Sequence, residues 1–126
     1  VKAGGLLYVS GQISMDETGR LITGKLGADL DTADGAAAAK RCALMLLAQV
    51  RAACDGDLDR LKRVVKLTGF VNSTPDYTEQ PKVVNGASDF LVEALGEAVR
   101  HARSAVSAGA LPLGAAVEIE GIFEVE

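Results

Sequence analysis

The chain begins with a short apolar run that is typical of a β-strand. The letters LLYV are followed closely by Gly11, and we predict a strand within 4–14. A turn at 17–19 then leads to a second, brief strand, which we place around Leu21 and Ile22. The amino-terminal part of the chain therefore predicts two short strands before any helix.

Two later stretches have apolar residues at steps of three and four, which is the helical period. The first runs from Thr32 to about Cys54, and either Thr32 or Asp34 is suited to cap its start. The second runs from Pro81 to about Val99, and proline suits the first turn of a helix. The apolar stripe of the first helix comprises Ala36, Ala39, Ala43, Leu46, Leu47, Val50 and Cys54.

Strand-like alternation returns at 61–73, at about 103–109 and at about 115–125. The segment ALPLG joins the last two strands. In the strand predicted at 61–73, we expect one side to carry Val65, Leu67, Gly69 and Val71. In the last strand we expect Val117, Ile119, Phe123 and Val125 on one face, with Glu118, Glu120 and Glu124 on the other.

The resulting order is strand, strand, helix, strand, helix, strand, strand. This order predicts an α+β fold in which two helices bury one face of a sheet. The other face is semi-polar, yet it retains Phe70 and Ile122. Because half-apolar sheet faces often contact a partner, we expect self-assembly.

Composition limits the classes of protein that fit this pattern. The 126 residues suit a single domain, 1–126, and the low aromatic content of 4% leaves the core to aliphatic residues. A net charge of -4 argues against a nucleic-acid partner, because such binding depends on basic side chains. No apolar stretch approaches the ~20 residues of a membrane span, so we expect no membrane partner and a cytoplasmic location. Cys42 and Cys54 lie in one predicted helix, about 18 Å apart, and are expected to be buried thiols.

Arg103 and Glu118 bracket a long uncharged segment, 104–117. Small neighbours leave a concavity beside the Arg103 guanidinium, whose fork of donors matches a carboxylate. The alternative is that Arg103 simply pairs with Glu118 or Glu120 in the sheet. Glu118 in turn is either a solvated carboxylate or a general acid or base beside the ligand of the arginine.

Three further polar residues have both structural and functional interpretations. Ser10 ends the first strand, where its hydroxyl either satisfies backbone groups or lines a site. Asn85 lies near the edge of the second helical stripe, where its amide either bonds backbone or binds ligand. His101 is the only histidine, and we expect it on the surface before its strand. With no cluster of histidine and cysteine and no nucleotide motif, we predict neither metal nor cofactor.

Four segments together resemble the RidA/YjgF family, which is also labelled L-PSP endoribonuclease-like. They are LLYVSGQIS, GDLDRLKRVVKLTGFVNS, the helix that contains Asn85, and RSAVSAGALPLGAAVEIEGI. The resemblance extends from Leu6 to Val125. The wording of the last segment resembles a bacterial side branch of the family more than the best-studied RidA proteins. It implies a chorismate-mutase-like α+β fold, with one mixed sheet and two helices on one face. It also implies a homotrimer with clefts between subunits.

The resemblance also implies a site and a reaction. Arg103 matches the arginine that grips the carboxylate of a small imino or enamine acid, and Glu118 matches the glutamate that holds or activates water. Ser10 and Asn85 match residues that line the cleft. Ala105 replaces a cysteine of the family at a position that can act through its backbone groups. The implied reaction is cofactor-free hydrolysis of acids such as 2-aminoacrylate to 2-keto acids and ammonia.

Two other functions remain open from the sequence. The first is a non-catalytic module that binds or senses small carboxylates, which the Ala105 departure motivates. The second is the endoribonuclease of the older family label. The net acidity, the sole histidine and the lack of an aromatic and basic stripe all argue against that activity.

Overall fold

The computed structural model describes residues 1–126 apart from the side chain of Ala98. Within that description, five strands form one mixed sheet and two α-helices cover one of its faces. The strands are β1 (Lys2–Ala3), β2 (Leu6–Ile13), β3 (Leu61–Asn72), β4 (Ala102–Ala108) and β5 (Val117–Val125), and the helices are α1 (Thr32–Ala53) and α2 (Gln80–Leu95). Short 3-10 turns occupy Leu58–Arg60, Glu97–Val99 and Pro112–Gly114.

The strands lie in the order β1, β2, β5, β3, β4. β3 and β4 run parallel and are joined through α2, whereas the other neighbouring strands are antiparallel. The predicted α+β class, with two helices on one side of a mixed sheet, is confirmed. Because β4 is the last strand of the sheet, its residues lie at an edge next to α2.

The alternation in β5 explains where the core lies. Its apolar residues Val117, Ile119, Phe123 and Val125 are buried beneath the helices. Its glutamates alternate with them and therefore lie on the opposite face, which we call the open face. Both sets agree with the sequence prediction.

α1 begins where the sequence predicts, but its cap is one residue earlier than expected. The Asp31 carboxylate accepts a hydrogen bond from the Asp34 backbone N–H at 2.8 Å, and the Asp34 carboxylate accepts one from the Asp31 N–H at 3.1 Å. This reciprocal capping box satisfies two backbone donors. Thr32 and Asp34 are therefore not the cap. Further along α1, Cys42 is buried and free, as is Cys54 just beyond its end, which confirms the prediction of buried thiols.

The two helices approach each other closely because small residues line their contact. A Cβ atom added at Gly86 of α2 would lie 2.0 Å from the Ala36 carbonyl oxygen of α1. A Cβ atom at Gly35 of α1 would lie 2.8 Å from a methyl of Val83. Glycine at these two positions is therefore a packing requirement.

Three details of the predicted elements are wrong. Around Leu21 the chain forms isolated bridges rather than a strand, because its partners change within a few residues. α2 ends at Leu95 rather than Val99, since Gly96 adopts a φ of 93°, which stops the helix. In β3 a bulge between Val64 and Lys66 places Val64, not Val65, in the core. The short β1 was not predicted.

Candidate functional site

Arg103 lies on edge strand β4 and extends over the helical side of the sheet. It is paired in register with Leu67 of β3, which is fully buried, so both side chains belong to the face beneath the helices. The guanidinium donates one hydrogen bond to Ser88 Oγ and another to the Pro81 carbonyl oxygen, both at 3.1 Å. Both acceptors belong to α2, so the helix fixes the position of the charged group.

A cavity of about 270 Å³ lies beside this guanidinium. Arg100 also borders it, but its guanidinium forms an ion pair with Glu97. That hydrogen-bonded pair lowers the pKa of Glu97. Among the side chains that the structure describes, Arg103 forms no ion pair with an acid. The cavity is lined by Asn85, Ser88, Asp89, Val92, Arg100, His101 and Arg103.

Glu118 occupies the opposite face of the sheet. It lies in register with Ile13 of β2 and with Phe70 of β3, and both of these neighbours are only partly buried. A Cβ atom added at Gly11 would lie 2.6 Å from Glu118 Oε2, so the carboxylate lies directly against the Gly11 backbone. The glycine therefore makes room for the acid.

Ser10 is next to that glycine, in an irregular part of β2. The register of β2 against β5 shifts between Val9 and Gln12, so Ser10 and Gly11 bulge out of the ladder. Ser10 is exposed, and its carbonyl oxygen accepts a hydrogen bond from the Gln12 amide at 3.0 Å. Ser10 and Glu118 thus belong to one region of the molecule, around the bulge.

Ala105 follows Arg103 by two residues and faces the same side of the sheet. It is paired with Gly69 of β3 and packs at the margin of the core. A Cβ atom added at Gly69 would lie 2.6 Å from a methyl of Val84, so α2 is very close to the sheet here. Because alanine has only a methyl group, position 105 fills little of the space next to Arg103.

The five predicted site residues therefore fall into two groups within one chain. Arg103 and Asn85 line the same cavity with Ala105 nearby, whereas Ser10 and Glu118 lie around the β2 bulge. A direct pair between Arg103 and Glu118 or Glu120 is excluded, since these acids point to the other face. The roles assigned to all five residues stay predictions.

Ser88 and His101 line the cavity but were not among the predicted site residues. Ser88 follows Asn85 by three positions in α2, a spacing that places both on one helical face. His101 is half-buried rather than a surface residue, and both of its ring nitrogens have hydrogen-bond partners. Spacing from Asn85 could have indicated Ser88, but only the tertiary contact reveals His101.

Within the described residues there is no group of three or more histidine, cysteine, aspartate or glutamate side chains placed to hold a metal ion. The helices of the described chain are too short or too polar to cross a lipid bilayer.

The sheet order and the helix-covered face define a chorismate mutase-like α+β protein with a cavity beside Arg103 at its edge strand. Residues 2–123 match the family described as "YjgF/chorismate mutase-like, putative endoribonuclease". The chain therefore belongs to the YjgF/RidA family, and the predicted resemblance is confirmed.

Known relatives show which part of the family this chain is most similar to. Protein TCP17 of Trypanosoma cruzi is 52% identical over 99% of this chain and 78% of its own length. The crystal structure of Atu1372 from Agrobacterium tumefaciens, of unknown function, has a TM-score of 0.97 and 48% identity over 100% of this chain and 79% of that one. RidA from the Antarctic bacterium Psychrobacter has a TM-score of 0.64 and 30% identity, over 99% of this chain and 85% of that one. The chain is thus more similar to a divergent branch than to RidA itself.

Proposed function

We propose that the protein hydrolyses reactive 2-imino acids, and the enamines that give rise to them, to 2-keto acids and ammonia. The observation that carries this proposal is the environment of Arg103. Its guanidinium borders a cavity and is held by two neutral oxygens, of Ser88 and Pro81, so its charge remains available to an anion. The planar fork of donors matches the two oxygens of a small carboxylate.

The remaining residues have complementary roles in the proposal. Asn85, on the same cavity wall, offers an amide to the bound acid. Ala105 leaves room for a small substrate side chain and contributes backbone groups. Because Glu118 lies on the opposite face of its own sheet, a substrate held by Arg103 would meet the Glu118 carboxylate of a second copy, together with Ser10 near it. In line with the family resemblance, the proposal includes a homotrimer with clefts between subunits. A cytoplasmic location stays a prediction.

The proposed reaction needs only water. Glu118 accepts a proton as the water oxygen attacks the imine carbon, and the C=N electron pair moves to nitrogen. The nitrogen then receives protons, the C–N bond breaks and ammonia leaves, while the new oxygen remains as the ketone. Arg103 orients the imine carbon by holding the neighbouring carboxylate. One imino acid and one water thus give one keto acid and one ammonia.

Ammonia release from enzymatically generated 2-aminoacrylate tests the proposal. We expect Arg103→Ala to lower the rate above the uncatalysed background at least tenfold, because a charge-assisted anchor is lost. Glu118→Gln should lower the rate while leaving carboxylate binding nearly intact. Arg100→Ala is the matched control, since Arg100 lines the same cavity but is paired with Glu97. Equal rates for the wild type, Arg103→Ala and Glu118→Gln would refute the proposal.

A second candidate is a carboxylate-binding protein without turnover. The separation of Arg103 from Glu118 within one chain favours it, as does the alanine at 105. Calorimetric titration with 2-oxobutanoate distinguishes the two candidates when it is combined with the ammonia assay. Binding that depends on Arg103, with no ammonia release above background, would support the binder.

A further inference from the structure

We infer that Ser88 and His101 are positioning residues that orient the Arg103 guanidinium through a directed chain of hydrogen bonds. The inference rests on the proposed role of Arg103 as the carboxylate anchor. Three contacts carry it: His101 Nδ1 to the Val99 carbonyl oxygen at 2.8 Å, His101 Nε2 to Ser88 Oγ at 2.9 Å, and Arg103 to Ser88 Oγ at 3.1 Å.

The direction of each bond follows from the chemistry of its partners. A carbonyl oxygen can only accept, so His101 Nδ1 must carry a proton to bond Val99. In the neutral ring Nε2 is then an acceptor, and the Ser88 hydroxyl donates to it. The lone pairs of Ser88 Oγ are left for the N–H of Arg103, which can only donate. Each hydrogen bond in this series therefore has one donor and one acceptor that are consistent with the others.

This arrangement fixes the serine hydroxyl, which would otherwise rotate. Without His101, the Ser88 proton could turn toward the guanidinium, where it would repel the donor. The second contact of Arg103 is with the Pro81 carbonyl oxygen. Pro81 lies about two turns before Ser88 on the same helix. Two fixed acceptors therefore hold the guanidinium plane before a ligand arrives, which lowers the ordering cost of binding.

The end of α2 explains why His101 can reach this position. Gly96 stops the helix with a φ of 93°, and the 3-10 turn Glu97–Val99 brings the chain back toward β4. The Val99 carbonyl then lies within reach of the His101 ring. The end of α2, which the sequence analysis placed at Val99, is thus the feature that allows His101 to form these hydrogen bonds.

Nuclear magnetic resonance of the imidazole nitrogens tests the direction of the chain. Since His101 is the only histidine of the sequence, protein without a histidine tag gives a single set of ring signals. At about pH 8.5 we expect the signals of the Nδ1-protonated tautomer. We also expect Ser88→Ala to shift the Nε2 signal. Observation of the Nε2-protonated tautomer would overturn the inference.

Binding measurements test the consequence for Arg103, with 2-oxobutanoate as the probe. Ser88→Ala and His101→Leu remove a member of the chain, and we expect each to weaken binding about tenfold. Ser88→Thr keeps the hydroxyl and His101→Gln keeps an acceptor, and both should bind within about threefold of the wild type. Thr18→Ala, which also removes a hydroxyl but lies in an exposed turn outside the cavity, is the matched control.

The outcomes separate this inference from the proposed function. If Arg103→Ala loses binding while Ser88→Ala and His101→Leu retain it, the positioning role is wrong and the anchor stands. If Arg103→Ala itself binds like the wild type, the proposed function fails and takes the positioning role with it. Thermal unfolding of each variant identifies any loss that comes from misfolding.

Discussion

At the scale of single residues, the decisive feature is how a charge is held. The Arg103 guanidinium donates to two neutral oxygens, whereas that of Arg100, three positions earlier, forms an ion pair with the Glu97 carboxylate. Two arginines at the rim of one cavity thus have different capacities to bind an anion. Neutral acceptors orient a guanidinium without cancelling its charge, which is the condition that the proposed function needs.

Cys42 is the residue with the largest pKa shift among those described here. Its thiol is fully buried, and burial together with the nearby charge of Glu118 raises its pKa from 9.0 to about 12. The Sγ atom lies 3.6 Å from the Val117 carbonyl oxygen, to which the protonated thiol donates. We therefore expect Cys42 to be unreactive toward alkylating reagents in the native protein.

The same shift predicts a loss of stability at alkaline pH. Above pH 9 the unfolded chain releases the thiol proton while the folded chain keeps it, so the free energy of unfolding falls as pH rises from 9 toward 12. This single group accounts for a fall on the order of 1 kcal/mol by pH 10. Urea unfolding of the wild type and Cys42→Ala at pH 8 and pH 10 measures it. Between pH 8 and pH 10, the free energy of unfolding of the wild type should fall relative to that of Cys42→Ala by this amount. A difference that does not change with pH would contradict the prediction.

At the scale of elements, close packing of the two helices determines where α2 lies. The contact depends on Gly35 and Gly86, neither of which leaves space for a side chain. α2 supplies Asn85, Ser88 and the Pro81 carbonyl to the cavity, so the packing of α1 against α2 also fixes the surroundings of Arg103.

We expect Gly86→Ala to destabilise the protein by about 3 kcal/mol or more, because its Cβ would overlap the Ala36 carbonyl. The backbone cannot give way as a flexible side chain does. Gly109→Ala is the control, since a Cβ atom there meets nothing within 4 Å. Chemical denaturation measures both. An equal effect of the two substitutions would show that the helices can separate at no cost.

At the scale of the whole molecule, the sheet separates two surfaces of different composition. The helical face carries the core and the Arg103 cavity, and the open face carries glutamates together with apolar residues. Tyr8 and Val106 on the open face are 45% and 44% exposed. Such a surface fits the proposed contact between copies, which would also bring a Glu118 to each Arg103.

Val106→Asp tests this assembly. We expect the wild type to sediment near three times its chain mass of 13.0 kDa, and the variant to dissociate, because a carboxylate on an apolar contact is costly to bury. Ammonia release should fall in parallel. Ala48→Asp, on the exposed side of α1, should leave both properties unchanged. A wild-type monomer that is fully active would overturn the shared cleft.

The periodic pattern of the sequence was sufficient for most of the fold. Strand alternation in β5 assigns its buried and exposed residues correctly, and the stripe of α1 identifies its core side, because these periods reflect local geometry. Errors occur where a single backbone torsion or a bulge changes the register, as at Gly96 and at Val64. Such local events leave little trace in hydrophobic periodicity.

The sequence by itself determined the α+β class through its hydrophobic periods, and the resemblance of four segments indicated the family. It also identified Arg103 as a candidate anchor, since a lone arginine among small uncharged residues is visible in the sequence. Only the tertiary structure decided that Arg103 and Glu118 lie on opposite faces of the sheet and that Ser88 and His101 join Arg103. The reason is that strand order and helix packing bring together residues that are distant along the chain. Sequence spacing specifies neighbours along one element, whereas a site is made by contacts between several elements.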